Sequence, residues 1–430
     1  MEITVIIAEL RRACEHELCR ICPAGIPGEI SMRFERELGY LEKHPEYLDD
    51  FLLFKELSDM AKRTCGKLYC PGIEMNSVLV YLLGDHELNP MPAHYYCPHC
   101  GFYQEHPEAG IGMDLPEARC PQCGGILWRN GFSLREELAW KRKPDGFFSE
   151  FRVATRILPL ARRVVEQHYV EQQRGAALLG WQDSAGIETA GIAVLPLGKN
   201  LSDYEDLKGI TRDGQVCICY DWERFEQDHI KRILIMKSDI LNKIDAIQWE
   251  SGILSESVTA DILTDVSCQD ILDAAVLHEE EVRIFQELKP ESFQRRMDLT
   301  SAVHNTYRVP EYEERTVGFH EFAEHPFFTS CPIYTSDDVY DMLCATYADT
   351  DRAFLETEKI RKGHFRRNCD EFSAELPEAL KEIARHTAYL FPRYFGQWWM
   401  LQYMRLAKYL KLDRRAYCNA VWKSSNPNQN

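Results

Sequence analysis

Residues 92–125 read PAHYYCPHCGFYQEHPEAGIGMDLPEARCPQCGG, and they differ from the helical patterns on either side. They contain two Cys-x-x-Cys pairs, Cys97/Cys100 and Cys120/Cys123, with 19 residues between the pairs. Each pair is typical of a knuckle, a tight turn that directs two thiolates at one ion. Zn²⁺ favours four such soft ligands in a tetrahedron. The spacing therefore predicts a zinc ribbon whose closed four-cysteine site is structural.

The alternative interpretation of these cysteines is a group of free, buried thiols. The nearby His99 and His106 are expected at the surface rather than among the ligands. Another Cys-x-x-Cys pair, Cys19/Cys22, lies close to Cys14 but has no matching second pair. We therefore expect this second group to be free thiols on a helix.

Composition narrows the class of protein. The chain has 430 residues, 45% of them hydrophobic, which suits roughly two to four folding units with a large core. Acidic residues outnumber Lys and Arg by 68 to 50, which excludes a uniformly basic nucleic-acid coat but not a local basic face. There is no apolar run of roughly 18 residues and no signal-peptide pattern, so we expect neither a membrane span nor secretion. The 16 cysteines are then expected to be reduced or metal-bound in a cytoplasmic protein.

Periodicity predicts a helical start and a middle part that contains strands. Apolar residues recur at helical intervals in residues 32–43 and 51–61. The stretches 191–196, 216–220 and 233–236 are short, apolar and rich in β-branched residues, as strands are. The remainder of the chain is expected to return to helices joined by polar loops.

The ribbon run resembles the zinc-binding insert in the palm of the PolC-type DNA polymerase III alpha subunits of Gram-positive bacteria. Both knuckles match, and so does a Gly-x-Asp-Leu-Pro element at residues 112–116. A more diffuse similarity extends over about residues 25–420. The stretches that carry it are 32–43, 80–92, 190–196, 218–223, 237–241, 288–293, 361–363 and 389–393.

The resemblance implies an α+β fold, with a polymerase-like palm, a zinc-ribbon insert and a mainly helical fingers domain. The implied domains are a first palm part at 1–93, the ribbon at 94–130, a second palm part with a reduced thumb at 131–250, and helical fingers at 251–430. We expect this sequence to lack the exonuclease, phosphoesterase and clamp-binding parts of the family, for which it is too short.

Nucleotide addition in this family requires two Mg²⁺ ions held by carboxylates. The resemblance implies three aspartates, two alternating on one strand and a third on a neighbouring strand. Asp145 corresponds to the first, whereas Phe147 stands at the second position, and its ring cannot bind a metal. Asp239 corresponds to the third aspartate, and Lys237 precedes it as in the family. Glu150 is another carboxylate nearby in sequence, but it does not follow the alternation of the aspartate pair. The alternative for Asp145 and Asp239 is a solvated or salt-bridged surface carboxylate.

Other stretches also depart from the family pattern. The loop implied to bind the triphosphate reads CPGIEMNS at residues 70–77, where Glu74 would repel phosphate. The segment between residues 175 and 190 is shorter than the helical thumb of the family. Phe395 stands at a histidine position of the fingers. His304 lies at another such position, where we expect a hydrogen-bonded structural histidine.

Features that stabilise the fold are therefore retained, whereas features that perform the chemistry are not. We predict a catalytically degenerate polymerase-like protein with structural Zn²⁺, with a role in DNA replication, and with Mg²⁺ only if catalysis persists. One alternative is an active minimal DNA polymerase in which Glu150 replaces the lost ligand. Another is a zinc-ribbon scaffold for protein interaction.

The C-terminal region carries a local excess of positive charge. Arg405, Lys408, Lys411 and Arg415 recur at helical spacing among Trp and Tyr residues. The candidates for contact with nucleic acid are Lys237, Arg361, Lys362, Arg393, Arg405, Lys408 and Arg415. Binding through them should weaken steeply with salt. An equal alternative is that these cations do not contact nucleic acid: they form a solvated face over an aromatic core or pair with the surplus acidic residues. The expected partners are DNA and replication proteins, not a membrane.

Overall fold

The computed structural model describes residues 3–84, 87–141, 147–308, 316–317, 333–368 and 371–425. Within these ranges the chain combines helices with β-sheets of different sizes, which confirms the predicted mixture of α and β structure. Asp145, which the sequence suggested as a catalytic remnant, lies outside the described residues.

A helical layer comes first. Its helices are α1 (Ile3–Ile21), α2 (Gly28–Lys43), α3 (Leu48–Arg63) and α4 (Val78–Leu83). Helix α2 buries Phe34, Leu38 and Leu41, whose spacing places them on one face. The helices predicted for residues 32–43 and 51–61 are confirmed.

A mixed β-sheet supports this layer. From one edge to the other, its strands are β1 (Leu68–Tyr69), β5 (Glu150–Val153), β10 (Lys231–Lys237), β7 (Gly186–Leu197), β6 (Arg174–Asp183), β9 (Val216–Cys219) and β8 (Lys208–Ile210). Strands β5 and β10 run parallel, with Val153 opposite Lys237, whereas β10 and β7 run antiparallel. The strands predicted at 191–196, 216–220 and 233–236 are confirmed.

Both faces of the sheet are covered. Ile233 and Ile235 of β10 belong to the core shared with the N-terminal helices and with α6 (Leu158–Glu171). On the other side, Leu195 of β7 packs in a smaller core with Phe225 of α7 (Trp222–Gln227). This alternation follows from the two-residue period of a strand, which sends successive side chains to opposite faces.

A β-hairpin occupies the place of the expected reduced thumb. Strands β6 and β7 pair antiparallel along residues 174–197 and are joined at Ser184 and Ala185. Gly186 has a φ of +124°, a conformation that residues with side chains rarely adopt. The short segment is therefore accommodated by a tight turn between strands.

The cysteine-rich run folds around a small sheet of its own. Its antiparallel strands, in the order β3-β2-β4, are β2 (His94–Tyr96), β3 (Tyr103–Glu105) and β4 (Trp128–Asn130). Tyr95, Leu115 and Leu127 form a satellite core with the buried cysteines Cys97 and Cys120. The short helix α5 (Glu136–Ala139) leads back to the main body.

The C-terminal half is mainly helical, as predicted. Its helices are α8 (Asp239–Ser251), α9 (Cys268–Asp273), α10 (Glu279–Leu288), α11 (Phe293–His304), α12 (Ser336–Thr346), α13 (Thr350–Arg361), α14 (His364–Arg367), α15 (Glu378–His386), α16 (Arg393–Leu412) and α17 (Arg414–Ser425). A small sheet of β11 (Thr306–Arg308), β12 (Thr316–Val317) and β13 (Thr387–Tyr389) accompanies them. Helix α16 lies in the core, where it buries Trp398, Tyr403 and Tyr409. Across the described ranges, every helix is too short or too polar to span a lipid bilayer.

Candidate functional site

The four cysteines of the ribbon converge on one point. The Sγ atoms of Cys97 and Cys123 are 3.4 Å apart, those of Cys100 and Cys120 are 3.5 Å apart, and all four lie within 4.8 Å of one another. Sulfurs bound to one tetrahedral ion at ~2.3 Å would lie roughly 3.8 Å apart. The arrangement can therefore hold a metal ion, and its four protein ligands would leave no open position for a substrate.

The two knuckles share one backbone geometry. The N–H of Gly101 donates to the carbonyl of Cys97 over 3.0 Å, and the N–H of Gly124 donates to the carbonyl of Cys120 over 2.8 Å. Gly101 and Gly124 have φ values of +76° and +74°, in the left-handed region that favours glycine. These turns direct both thiols of each pair toward the shared centre.

The electrostatics of the first knuckle favour a thiolate at Cys97 but not at Cys100. Desolvation opposes ionisation of Cys97, but the backbone N–H groups of His99 and Cys100 and the neighbouring thiols lower the pKa of Cys97 to about 6. The backbone N–H of Phe102 favours the thiolate of Cys100, but desolvation and hydrogen bonds with the neighbouring thiols outweigh it and raise the pKa of Cys100 to about 12. The thiolate is the form that binds metal. Neither His99 nor His106 belongs to a metal-capable group among the described residues.

Hydrogen bonds from Tyr96 and Asp114 help to attach the ribbon to the main body. The hydroxyl of Tyr96 accepts a hydrogen bond of 2.9 Å from the N–H of Ala24. Asp114 accepts hydrogen bonds from the backbone N–H groups of Phe293, over 2.6 Å, and Gln294, over 2.8 Å, at the start of α11. The carboxylate of Asp114 thus satisfies amides that the helix leaves without intrahelical partners. The ribbon consequently helps to position a helix of the C-terminal half.

The second cysteine group does not form a comparable centre. Cys14 and Cys22 are buried and Cys19 is exposed. No metal-capable group in the described part of the chain includes any of them. Burial raises the pKa of Cys22 to about 11, which keeps its thiol protonated. Free thiols, as predicted, fit these observations.

Asp239 does not lie within a strand. Strand β10 ends at Lys237, and Asp239 is the first residue of α8, after the single residue Ser238. Asp239 and Lys237 are both exposed, and neither side chain has a hydrogen-bond or ion-pair partner among the described residues. The structure therefore presents Asp239 at the carboxyl end of β10, with its carboxylate open to solvent.

Phe147, which the sequence resemblance assigned to the position of the second metal-binding aspartate, belongs to the core. It is 5% exposed, and its ring lies 4.6 Å from that of Tyr47 and 5.8 Å from that of Phe51. Its N–H donates to Oδ2 of Asp50 over 3.2 Å, and Asp50 also pairs with Lys231. The loop that contains Phe147 is thereby fixed to helix α3 and to the beginning of β10.

These contacts place Phe147 and Asp239 at opposite ends of the parallel pair β5/β10. Phe147 is joined through Asp50 to Lys231, where β10 begins, whereas Asp239 follows Lys237, where β10 ends. Six residues of strand span roughly 20 Å at ~3.3 Å per residue. Phe147 also precedes β5, so the alternation on one strand that was expected to include position 147 is not observed.

Neither Glu150 nor Asp239 belongs to a metal-capable group among the described residues, which do not include Asp145. Glu150 is the first residue of β5 and lies opposite Leu234, three residues before the end of β10. Its Oε1 accepts a hydrogen bond of 2.7 Å from Nε of Arg152. Of the residues that the structure describes, no group with three ligand atoms in metal-binding proximity contains either carboxylate.

The loop at residues 70–77 uses its polar groups inside the protein. Glu74 is 1% exposed and accepts a hydrogen bond of 3.0 Å from the N–H of Phe148. At the start of α4, the N–H of Val78 donates to Glu37 over 3.0 Å, and the hydroxyl of Ser77 donates to the same carboxylate. The buried carboxylate of Glu37 therefore already accepts hydrogen bonds from the hydroxyl that ends this loop and from the amide that follows it.

The predicted basic face of α16 and α17 is largely paired with acids. Arg405 is 1% exposed, pairs with Glu87 and donates to the carbonyl of Val258 over 3.2 Å. Lys408 lies 2.7 Å from Asp265. These contacts match the alternative in which the cations pair with acidic residues over an aromatic core. The sequence had left this alternative open beside contact with nucleic acid.

The basic residues of the fingers region are paired as well. Arg393 contacts Asp338 at 2.9 Å, and Arg361 and Lys362 contact Glu358 at 2.6 and 2.9 Å. Of the candidate nucleic-acid ligands, Lys237 and Arg415 are exposed and have no partner among the described residues. Their charges are free for contact with a phosphate.

A large cleft lies apart from these residues. Its volume is about 1590 Å³, and it lies between α1, α3 and β4. Lys55 and Lys62 line it together with Glu9, whereas Asp239 and Phe147 do not. Its mixed charge does not suit a polyanion in particular.

Sequence reasoning missed the buried carboxylates that organise this region. Asp50, Glu74 and Glu37 each accept hydrogen bonds from backbone amides of distant segments. For Glu37 a signal was present, since Arg33 precedes it by four residues and pairs with it at 3.0 Å. Asp50 and Glu74 had no such local signal, because their partners are distant in sequence.

Comparison with curated proteins gives matches over most of the chain. The DNA polymerase III PolC-type of Thermotoga petrophila is 22% identical over 450 residues, which cover 86% of this chain and 31% of that protein. The protein of the same name from Lactococcus lactis is 21% identical, with 93% of this chain and 28% of that protein covered. That from Streptococcus agalactiae is 39% identical over 115 residues, or 25% of this chain and 7% of the relative. No protein-family model matches the chain.

The resemblance to PolC-type DNA polymerase III is thereby confirmed across most of the chain. The chain spans about a third of the length of these relatives, from 28 to 31%. It is therefore similar to a part of such polymerases.

Proposed function

We propose that this protein is a PolC-like palm-and-fingers protein that has lost nucleotidyl transfer and has a binding or accessory role in DNA replication. The observation that carries the proposal is Phe147. A buried aromatic ring stands at the position of a metal-binding aspartate, and Asp239 lies at the other end of β10. Nucleotide addition needs two Mg²⁺ ions ~3.5–4 Å apart, held by convergent carboxylates. Glu37 adds to this, because it accepts hydrogen bonds from the hydroxyl of Ser77, in the loop implied to bind triphosphate, and from the N–H of Val78, which follows that loop.

In this proposal the sheet β1-β5-β10-β7-β6-β9-β8 is the palm, residues 94–130 are its ribbon insert, and the helices of residues 251–430 are the fingers. The hairpin of β6 and β7 replaces the thumb. The ribbon holds structural Zn²⁺, because four sulfurs at tetrahedral separations suit that ion.

Primer extension tests the loss of catalysis. The full chain is incubated with a primed template, deoxynucleotides and either Mg²⁺ or Mn²⁺, and we expect no extension product. Asp239→Ala and Glu150→Gln serve as site variants, and the exposed Glu223→Ala serves as the matched control. Templated synthesis that Asp239→Ala abolishes and Glu223→Ala preserves would overturn the proposal in favour of an active minimal polymerase.

DNA binding is the second part of the proposal. Lys237 and Arg415 are the candidates for phosphate contact, since the other predicted cations are engaged by acids. A Lys237→Glu/Arg415→Glu variant should weaken binding to primed DNA by about tenfold and reduce the salt dependence, because each phosphate contact releases counterions. Lys43→Glu, a charge reversal at the end of α2, should leave affinity nearly unchanged. Equal affinity of all three proteins would exclude these two contacts.

A zinc-ribbon interaction scaffold is a second candidate. Ile126 and Trp128, which follow the second knuckle, are 66% and 44% exposed. Exposed apolar side chains in a rigid ribbon suit a protein partner. Binding to a purified PolC-type polymerase can be compared for the wild type and for an Ile126→Ser/Trp128→Ser variant. Trp181→Ser, a 48% exposed tryptophan on the hairpin, is the control. The scaffold function would be favoured if only the Ile126→Ser/Trp128→Ser variant lost binding to the polymerase and the wild-type protein did not bind DNA.

A further inference from the structure

Three potential metal ligands converge between α10 and α11, far in sequence from the four cysteines. His278 immediately precedes α10, Glu281 lies in its first turn, and His304 is the last residue of α11. One ligand atom from each lies within 4.8 Å of the other two. The rings of His278 and His304 have centroids 5.5 Å apart. The N-terminal end of α10 and the C-terminal end of α11 thus lie together and form the site.

The carboxylate of Glu281 is buried but only half satisfied. The side chain has no exposed surface, and its Oε2 accepts hydrogen bonds of 2.9 Å from the N–H of His278 and 3.3 Å from the hydroxyl of Tyr403. Its Oε1 has no hydrogen-bond partner among the described residues. A buried carboxylate oxygen without a hydrogen bond is costly, because it has lost its contact with water. His304, whose Nε2 lies 3.6 Å from Oε1, forms an ion pair with it only when the imidazole is protonated. A positively charged group bound at Oε1 would therefore stabilise the buried carboxylate of Glu281.

His304 presents a second unsatisfied atom at the same point. Its Nε2 has no hydrogen-bond partner in the described part of the chain and lies 3.6 Å from Oε1 of Glu281. The expectation of an ordinary hydrogen-bonded histidine does not fit this nitrogen. The two atoms are too far apart for a good hydrogen bond. An ion between them would satisfy both.

The separation of these atoms suits one class of ion. Ligands at ~2.0–2.1 Å from a tetrahedral Zn²⁺ lie roughly 3.4 Å apart. Adjacent ligands of an octahedral Mg²⁺ at the same radius lie roughly 3 Å apart. Two imidazoles with one carboxylate are also ligands that Zn²⁺ and related transition metals prefer, whereas Mg²⁺ prefers oxygen alone. The observed 3.6 Å between Nε2 and Oε1 is nearer to the tetrahedral value.

The surroundings hold these ligands in place. Tyr403 fixes one oxygen of Glu281, which orients the other toward His304, as outer hydrogen bonds do in metal sites. The ring of His304 lies against those of Phe395, at a centroid distance of 5.6 Å, and Trp399, at 6.3 Å. His278 is exposed, so an ion can enter from solvent.

We propose that His278, Glu281 and His304 form a second divalent transition-metal site that binds Zn²⁺ through three protein ligands. It differs from the ribbon site in that three ligands leave a coordination position open to water or to another small ligand. The site is independent of the proposed loss of polymerase activity, because none of its ligands belongs to the implied catalytic set.

Metal counting tests this proposal on the full chain. The purified protein is dialysed to equilibrium against Zn²⁺, and the bound zinc per chain is measured. We expect His278→Ala, Glu281→Gln and His304→Ala each to bind one Zn²⁺ fewer than the wild type. His364→Ala, a histidine that contacts Glu371 at 2.8 Å, is the matched control and should bind as many as the wild type. Equal zinc content in the wild type and in the three site variants would overturn the proposal.

Cobalt substitution identifies which ion is lost. Co²⁺ bound by cysteines shows sulfur-to-metal charge-transfer absorption, whereas a His/Glu site does not. We expect the site variants to lose one Co²⁺ and keep this absorption, which also shows that the ribbon remains folded. Loss of the sulfur-to-metal absorption in His278→Ala would mean that the missing ion belonged to the ribbon. Displacement of the Co²⁺ of the His/Glu site by excess Mg²⁺ would exclude a site for transition metals. Either result would overturn the proposal.

Discussion

The backbone N–H of Phe147 lies 3.2 Å from Oδ2 of Asp50, and Asp50 is also paired with Lys231. The side chain of Asp50 is 7% exposed and that of Lys231 is 22% exposed. A buried carboxylate with these two partners links α3, the loop before β5 and the start of β10. Phe147, at a position where the resemblance implies a metal ligand, is part of the hydrophobic core.

Removal of this carboxylate should destabilise the fold. Asp50→Ala leaves the half-buried Lys231 without its carboxylate partner and the N–H of Phe147 without an acceptor, for which we expect a loss of about 3–5 kcal/mol in the free energy of unfolding. Urea unfolding measures it. The exposed Asp273→Ala should change this free energy by less than about 0.5 kcal/mol. A loss for Asp50→Ala no greater than for Asp273→Ala would show that the pair does not stabilise the core.

Removal of the ribbon metal should unfold the ribbon. Cys97→Ser deletes a ligand, and structural Zn²⁺ contributes an apparent ~10–16 kcal/mol at neutral pH in isolated zinc-finger peptides. We expect loss of the ribbon ion and a lower melting temperature, measured by zinc content and circular dichroism. Cys19→Ser, in the other Cys-x-x-Cys pair, should retain both properties. Equal zinc content in the two variants would contradict the assignment of the ribbon ligands.

Asp114 transmits the ribbon's position to α11 through hydrogen bonds to Phe293 and Gln294. Asp114→Ala should reduce stability by about 0.5–2 kcal/mol, because two amides at the start of the helix lose their acceptor. Asp114→Asn keeps an acceptor oxygen and should cost less. Glu117→Ala, at a side chain that is 86% exposed in the same run, is the control. Indistinguishable urea midpoints for all three variants would rule out a capping role.

His168 should give the protein a pH-dependent stability. Desolvation opposes its charged form, but hydrogen bonds and charge interactions with Asp49 and Glu56 outweigh it and raise the pKa of His168 to about 9. Because this pKa lies above the unfolded value of ~6.5, its contribution is complete below about pH 6.5 and is lost as the pH rises through about 9. We expect a loss of roughly 2–3 kcal/mol over this window.

Urea unfolding at about pH 6 and about pH 9.5 measures this effect, since the two values bracket the titration. His168→Gln should flatten the difference, whereas the surface variant His44→Gln should not. An unchanged pH profile in His168→Gln would assign the dependence to other groups.

Local patterns allowed much of the fold to be predicted. The helices at 32–43 and 51–61 and the strands at 191–196 and 233–236 follow from periodicity, because one buried face fixes the spacing of apolar residues. The convergence of the cysteines follows from the spacing of their two pairs. Each of these features is determined by residues close together in sequence.

Contacts between distant segments could not be predicted in this way. Arg405 was assigned to a basic face because its spacing is helical, yet its partner Glu87 is separated from it by more than three hundred residues. His278 and His304 meet only because α10 and α11 pack together. Charge counts along a sequence do not show which cations already have a buried partner.

Arg405 and Arg415 provide a comparison between buried and exposed cations. Arg405→Ala removes an ion pair with Glu87 and the hydrogen bond to Val258, both in the core, so we expect a loss of about 3 kcal/mol in stability. Arg415→Ala, at an exposed position on α17, should change stability by less than about 0.5 kcal/mol. Urea unfolding and DNA affinity, measured on the same preparations, separate the two roles. If Arg405→Ala has a lower free energy of unfolding and its folded fraction binds DNA with the wild-type affinity, Arg405 acts within the core. An Arg405→Ala variant of full stability but weakened, salt-sensitive DNA binding would instead mean that its guanidinium reaches a phosphate.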